Sequence, residues 1–463
     1  MEQILKHVDS DLISNTKPFM YTEFPHKRTW SNEFGDKEYR QVLQSLPISA
    51  PSMLYVHIPY CEELCWFCTC HMIITRDYGR VRRYLNLLYK EINLLADFFR
   101  KNGLTVDFQE VHFGGGSPTY IDEAEFEEFL LVLQRIIAID HLSEFSIEID
   151  PRRVNLERMR YYHSKGINRV SFGIQDFDPR VQTAINRVQP AQLTEKLLTP
   201  EIRRLFSRGI NFDLICGLPW QTPQTISETC RKAVELGPDR ICLNYLHFAP
   251  EYTKHQRLMA DGSHARPDRL PDGYERKELF LAAMEVLKDG GYVRVGYDHF
   301  AKPTDKVVRA WQEDTMSWNA LGVTPGRYLE TIGIGVSSMS NINNCYAQNV
   351  YKEDEYEKLL SQGCFPVLRG HRLNQDDILR REIIQKIRTY FYIDFGQVER
   401  KYGLDFRSYF QKEIRKLEPF IADGLVRLTD GDLTVTEMGY QFANVICTCF
   451  DSYFAPIITP ETK

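Results

Sequence analysis

From residue 53 onward, short apolar runs alternate with longer amphipathic stretches. The runs "MLYVHI" (53–58), "FQEVHFGGG" (108–116), "FSIEID" (145–150), "RVSFGIQ" (169–175), "INFDLICGLP" (210–219) and "RICLNYLHF" (240–248) read as strands, and "VRVGYDHFAKP" (293–303) as one strand more. Between them, "VRRYLNLLYKEINLLADFFRK" (81–101) places Leu85, Leu88, Ile92 and Leu95 at helical spacing. "AEFEEFLLVLQRII" (124–137) and "LERMRYYHSKG" (156–166) are further helices, the second stopped by Gly166. Repeated strand–helix units predict parallel strands covered by helices, and about six of them predict an open or partial β/α barrel. Chemistry in such barrels collects at the C-terminal strand ends. There the chain places a cysteine-rich loop after the first strand, then "GGGSP", "EIDP", "GIQDFD" and "DLICGLP" after the next four.

The flanks read differently. Residues 1–50 are polar and aromatic, an arm or cap rather than a core. After 303, "TPGRYLETIGIGVSS" reads as a Gly-punctuated connector. Residues 375–430 are helical and charged, and "DGLVRLTDGDLTVTEMGYQFANVI" reads as helix, two short strands joined by "DGD", then helix. The expected division is an arm (1–50), the barrel (51–303), connector and substrate-side elements (304–370), and a small, mostly helical, winged-helix-like domain (371–463).

Composition narrows the function. A formal charge of −6 over 463 residues gives no electrostatic case for nucleic acid. No apolar run approaches the roughly 20 residues that span a bilayer. The opening "MEQILKHVDSDLISN" is acidic and broken, unlike a signal peptide. A cytoplasmic protein with reduced thiols is expected. Eleven cysteines, an odd number, argue against a disulfide framework. Four of them, Cys61, Cys65, Cys68 and Cys70, fall within "YVHIPYCEELCWFCTCHM". Structural zinc usually takes two paired ligand sets, and no second set follows. Three close thiolates suit three corners of a cubane iron–sulfur cluster whose fourth iron stays open. A structural zinc site is the alternative on spacing alone, and a nucleophilic thiol has no base paired with it in the sequence.

Cys61-x3-Cys65-x2-Cys68, with Phe67 before the third cysteine, resembles the radical S-adenosylmethionine (SAM) signature. The extra Cys70 makes it similar to oxygen-independent coproporphyrinogen III oxidases (coproporphyrinogen dehydrogenases). The likeness runs through "YTEFP", "LYVHIPYC", "GGGSPTYI", "SIEIDPR", "GIQDFDPRVQTAINR", "DLICGLPWQTP", "GYDHFAKP", "IGIGVSSMS", "CYAQN" and "ICTCFDSYF". It implies an α/β fold with a partial (β/α)6 radical SAM barrel. It also implies a [4Fe–4S] cluster on Cys61, Cys65 and Cys68, with Cys70 off the cluster, and SAM, one molecule or two, chelating the open iron. Gly114, Gly115 and Gly116 would let the backbone approach the methionine end. Glu148, Gln175, Arg187 and Asp213 would complete the cradle, Arg187 by forking a carboxylate and Asp213 by holding a ribose diol. Tyr55 and Phe67 would flank cluster and adenine.

The implied reaction is loss of a hydrogen atom, CO2 and an electron from propionates on rings A and B of a porphyrinogen, leaving vinyl groups, as in haem biosynthesis. Arg152, Arg153 and Lys302 are candidates for propionate carboxylates. The implied partners are a small-molecule porphyrinogen and a one-electron reductant such as flavodoxin or ferredoxin, acting on a monomer with no membrane span.

One segment departs from the pattern. In "ALGVTPGRYLETIG" (320–333), Val323, Pro325, Gly326 and the pair Arg327–Tyr328 stand where relatives carry "GYTT" and a glutamine. Pro325 fixes φ and removes a donor. This implies a paralogue with an altered substrate or altered use of a second SAM. A radical SAM C-methyltransferase or cyclopropanase is the second reading. A haem chaperone is the third, against which Cys70 and the long arm count.

Overall fold

The computed structural model describes residues 21–47, 49–259, 270–319, 322–325 and 330–454. Six strands carry the barrel: β1 (Pro51–Ile58), β2 (Asp107–Gly115), β3 (Glu144–Ile149), β4 (Arg169–Gln175), β5 (Gly209–Cys216) and β6 (Arg240–Tyr245). Each pairs in parallel with the next, with Leu54 opposite Val111, Ile147 opposite Val170 and Phe212 opposite Ile241. β1, β3 and β5 are buried along nearly their whole length, because helices cover one face and the barrel interior the other.

The covering helices follow the sequence pattern. α1 (Tyr78–Asn102) starts where Asp77 accepts the Gly79 N–H, and it ends at Gly103 in a left-handed conformation. It buries Leu85, Leu88, Ile92 and Leu95. α2 (Glu123–Leu133) and α3 (Leu156–Ser164) follow β2 and β3, capped by Asp122 and Asn155. α4 (Pro223–Leu236) opens on a Thr222 cap with Pro at its first position.

Two expectations need correction. The stretch 293–303 is a hairpin of β7 (Val293–Val295) and β8 (His299–Ala301), not one strand more. Gly296 turns it at φ 72°, and β8 lies antiparallel to β6, so the parallel run ends there. The Gly-punctuated connector contains a strand, β9 (Glu330–Ile334), which pairs in parallel with β1 on the side away from β2. A Cβ at Gly333 would collide with the backbone of Met339, so this glycine serves close strand approach rather than a loop. Three antiparallel strands continue outward: β10 (Met339–Ile342), β11 (Cys345–Asn349) and β12 (Val367–Arg372). The result is one open sheet of 12 strands in the order β12-β11-β10-β9-β1-β2-β3-β4-β5-β6-β8-β7.

A second core forms around α5 (Gln375–Tyr390), where Leu379, Ile383 and Ile387 meet Phe395, Phe406, Phe410, Leu433 and Phe450. Val426–Leu428 and Asp432–Val435 pair antiparallel across the "DGD" turn as expected, and Tyr392–Asp394 adds a third strand that the sequence pattern did not show. Tyr21 and Phe24 join this core, and the Tyr21 hydroxyl donates to Asp451 at 3.0 Å. Further along the same segment, Trp30 stacks on Tyr346 at 5.0 Å. Among the described residues, no helix is long and apolar enough to cross a membrane.

Candidate active site

The cysteine loop leaves the C-terminal end of β1 and returns to α1. A short parallel bridge, Tyr60–Cys61 with Ile73–Ile74, pinches its base. Its carbonyls are then taken by neighbouring segments, as buried backbone requires. Asn186 Nδ2 donates to Leu64 O at 2.7 Å, Gln256 Nε2 to Phe67 O at 3.0 Å and His255 Nε2 to Cys68 O at 2.8 Å. The Trp66 N–H donates to Ile185 O at 3.0 Å.

So held, Cys61, Cys65 and Cys68 face a cavity of about 350 Å3 at the C-terminal ends of β1–β6. All three are free thiols. Burial pushes Cys61 up to about 12, with the neighbouring Cys65 acting the same way and Arg187 opposing. A metal centre would supply the positive charge that holds Cys61 as a thiolate against this burial. Among the described residues, the one trio of ligand atoms within 4.8 Å of one another is Cys242, Asp298 and His299. Cys61, Cys65 and Cys68 are not such a trio, so their sulfurs are not gathered as tightly as a single zinc with bonds of about 2.3 Å would hold them. Cys70 is exposed, at the edge of this cavity.

Phe67, Gly115, Gly116, Glu148, Gln175, Arg187 and Asp213 line the same cavity. Gly114 does not, since its Cα packs under Tyr55 and Glu148. Gly115, at φ 118°, sits where a Cβ would fall 2.7 Å from the His57 ring, and a Cβ at Gly116 would meet the backbone of Pro59 and Tyr60. The glycine run thus lets β2 close against the end of β1. Asp213 accepts the Ser171 hydroxyl at 2.7 Å and Asn211 Nδ2 at 2.8 Å, and burial pushes its carboxyl up.

Arg187 is not a free fork. It pairs with Asp150 at 3.0 Å, donates to Gln189 and the Gly173 carbonyl, and lies 3.6 Å from the Cys65 sulfur. Asp150 is the hub that sequence reasoning missed, although "EIDP" placed an acid at a strand end. Arg152 forks it through Nε at 3.0 Å and Nη2 at 2.8 Å. Burial raises the Asp150 carboxyl, but Arg152 and Arg187 outweigh it and hold it below its usual range. Arg153 is spent on Glu62. Lys302 lies at the opposite end of the barrel, on the Gly237 carbonyl at 2.9 Å, and lines neither cavity.

A second cavity, of about 770 Å3, adjoins the first. Thr69, Cys70, Met72, Gly115 and Glu148 line both. Its walls hold Tyr55, whose hydroxyl meets His57 Nδ1 at 3.0 Å and whose ring stacks on His112 at 5.9 Å. Ser337 and Ser338 contribute from a turn fixed by buried Glu91, which accepts the Gly335 N–H at 2.7 Å and Asn349 Nδ2 at 2.8 Å. Trp30, Lys27 and Lys254 come from segments remote in sequence. Of the divergent segment, Val323 pairs opposite Trp318 in a hairpin whose Asn319 reaches this cavity. Gly326, Arg327 and Tyr328 lie outside the described residues.

Comparison with known proteins agrees with this geometry. The radical SAM superfamily matches residues 55–233 and the HemN C-terminal domain residues 373–442. The oxygen-independent coproporphyrinogen III oxidase of Pseudomonas aeruginosa is 35% identical, over 94% of this chain and 93% of that protein. The Escherichia coli K12 protein of the same name is 34% identical over 94% and 92%. The solved structure of coproporphyrinogen III oxidase (HemN) from Escherichia coli, a radical SAM enzyme, superposes with a TM-score of 0.86 over 94% of this chain and 98% of that one. With matches of this identity along nearly their full length, this chain belongs to the oxygen-independent coproporphyrinogen III oxidase family of radical SAM enzymes.

Proposed function

We propose that this chain oxidatively decarboxylates the ring A and ring B propionates of coproporphyrinogen III, giving protoporphyrinogen IX. The observation that carries the reading is the pair of joined cavities: a small one lined by the cysteine loop opens past Cys70, Gly115 and Glu148 into a larger one with aromatic walls. The larger volume falls within the range of roughly 300–1,000 Å3 usual for small-molecule sites. A [4Fe–4S] cluster and SAM bound here would supply the radical chemistry that removes a hydrogen atom from the propionate β-carbon, with CO2 lost and the remaining electron passed to an external one-electron acceptor.

Cys61, Cys65 and Cys68 would hold the cluster and leave one iron to SAM, while Cys70 would stay off it. Arg187 lines the cavity, where it braces Asp150 and faces the Cys65 sulfur, and from there it serves the ligand carboxylate as well as a ligating thiolate. Gln175 and Asp213, both at the cavity wall, serve the nucleoside end. Phe67, Ile215 and Leu246 make part of that wall apolar, which keeps water from a reactive carbon centre. The chain works as a cytoplasmic monomer that binds one SAM, or two, and is reduced by a flavodoxin or ferredoxin.

The test is anaerobic reconstitution with iron and sulfide, followed by dithionite, SAM and coproporphyrinogen III. The expected products, by mass spectrometry, are 5′-deoxyadenosine and protoporphyrinogen IX. S-adenosylhomocysteine with a methylated product would replace this reading by a methyl transfer.

A further inference from the structure

We propose that Lys27 and Lys254 form a carboxylate clamp at the mouth of the larger cavity, gripping propionates of the tetrapyrrole that are not at the reacting position. The proposal rests on the substrate reading above. Both lysines line that cavity, and neither has an acidic partner within 4.0 Å among the described residues. The other basic groups nearby are committed. Arg152 is held by Asp150 and Glu63, Arg153 by Glu62, and Arg369 by Gln348 and Tyr351. The carboxylates that share the cavity are engaged elsewhere. Glu23 accepts the Thr22 hydroxyl, and Glu148 faces His112 at 3.3 Å.

The two lysines come from distant parts of the chain but from touching segments. The Arg28 guanidinium lies 4.5 Å over the Tyr252 ring, which ties the N-terminal turn to the loop after β6. Beyond Lys254, His255 and Gln256 bond the carbonyls of Cys68 and Phe67. The loop that presents the ammonium therefore also fixes the cysteine loop, which ties the rim to the cluster loop. Lys27 and Arg28 both bear on the histidines of this rim. Burial lowers His26 to about 3, with Lys27, Arg28, Arg369 and His247 pushing in the same direction. Burial also lowers His247; Glu251 opposes, and Arg28 and Lys27 reinforce. The stacked pair Trp30–Tyr346 supplies a flat wall beside this rim for an apolar macrocycle. A lysine's compact charge on a flexible stem accepts a carboxylate from several directions. That suits a substrate which must present two propionates in turn.

The test is equilibrium binding of coproporphyrin III, the oxidised and unreactive form, to the anaerobic holoenzyme with SAM. Lys27→Gln and Lys254→Gln should each weaken binding about tenfold, and the double variant more, with SAM affinity and cluster absorbance unchanged. Lys27→Arg and Lys254→Arg should stay within about threefold of wild type, and coproporphyrin tetramethyl ester should bind wild type and double variant alike. A double variant that binds coproporphyrin III like wild type, or a wild type that binds the ester as tightly as the free acid, would overturn the clamp. If the lysines govern coproporphyrin III binding but coproporphyrinogen III yields deoxyadenosine and no vinyl product, the clamp stands and the reaction reading fails.

Discussion

The two ends of the barrel treat charge in opposite ways. At the N-terminal ends of the strands, buried Glu144 pairs with Arg169 at 3.0 Å and Lys306 at 3.2 Å, Arg240 is forked by Asp305, and Lys302 meets Asp239. Burial alone would raise the Glu144 carboxyl, but Arg169, Arg240 and Lys306 hold it well below its usual range. At the C-terminal ends Asp150 is likewise braced by Arg152 and Arg187, but beside that brace the loop thiols line a cavity, His57 is buried neutral, and Lys27 and Lys254 line a second cavity with no acidic partner within 4.0 Å among the described residues. The closed network belongs to stability; the open groups belong to ligands. This is the division expected of a barrel whose chemistry sits at one face.

The comparison breaks most visibly at the thiols. Cys65→Ala should abolish the cluster absorbance of reconstituted protein and all deoxyadenosine formation, while far-UV circular dichroism remains native. Next, Glu144→Gln should cost about 3–5 kcal/mol in urea unfolding, because it strands the buried Arg169 guanidinium, and the cluster should still assemble in the surviving folded fraction.

The same contrast should appear in acid. Burial lowers His57 to about 4, below its unfolded value, so its contribution is full above about pH 6.5 and is lost as pH falls from there towards 4. Arg169, Arg240 and Lys306 hold Glu144 below its usual range, so its contribution is full above about pH 4.5 and is lost only at more acid pH. Hydrogen exchange followed against pH should therefore show β1 and the cysteine loop opening before the N-terminal strand ends. His57→Gln should remove the higher-pH step. The smallest effects are expected where the site is not. Lys302→Gln should leave KM for coproporphyrinogen III within about twofold, and Cys70→Ala should leave cluster absorbance intact.

What could be read in the sequence follows from locality. The six barrel strands and the cysteine loop each announce themselves within a few residues, through buried runs and ligand spacing. The pairing of Arg187 with Asp150 could not be read that way, because the partner arrives from another strand end. β9 was hidden for a related reason: the glycines of "TIGIGVSS" resemble a loop until Met339 is seen packed against Gly333. The hairpin at 293–303 was missed because Gly296 turns a run that otherwise reads as continuous. Lys27 and Lys254 carry no motif at all, and only the fold brings them to one rim.

On this reading three cysteines bind a four-iron cluster and leave one iron to SAM. Mössbauer spectroscopy of protein reconstituted anaerobically with iron-57, before and after addition of SAM, tests it most directly. The prediction is a [4Fe–4S] cluster in which a single iron site changes its isomer shift when SAM is added. A cluster with four equivalent irons indifferent to SAM, or protein that takes up zinc and no iron, would contradict it.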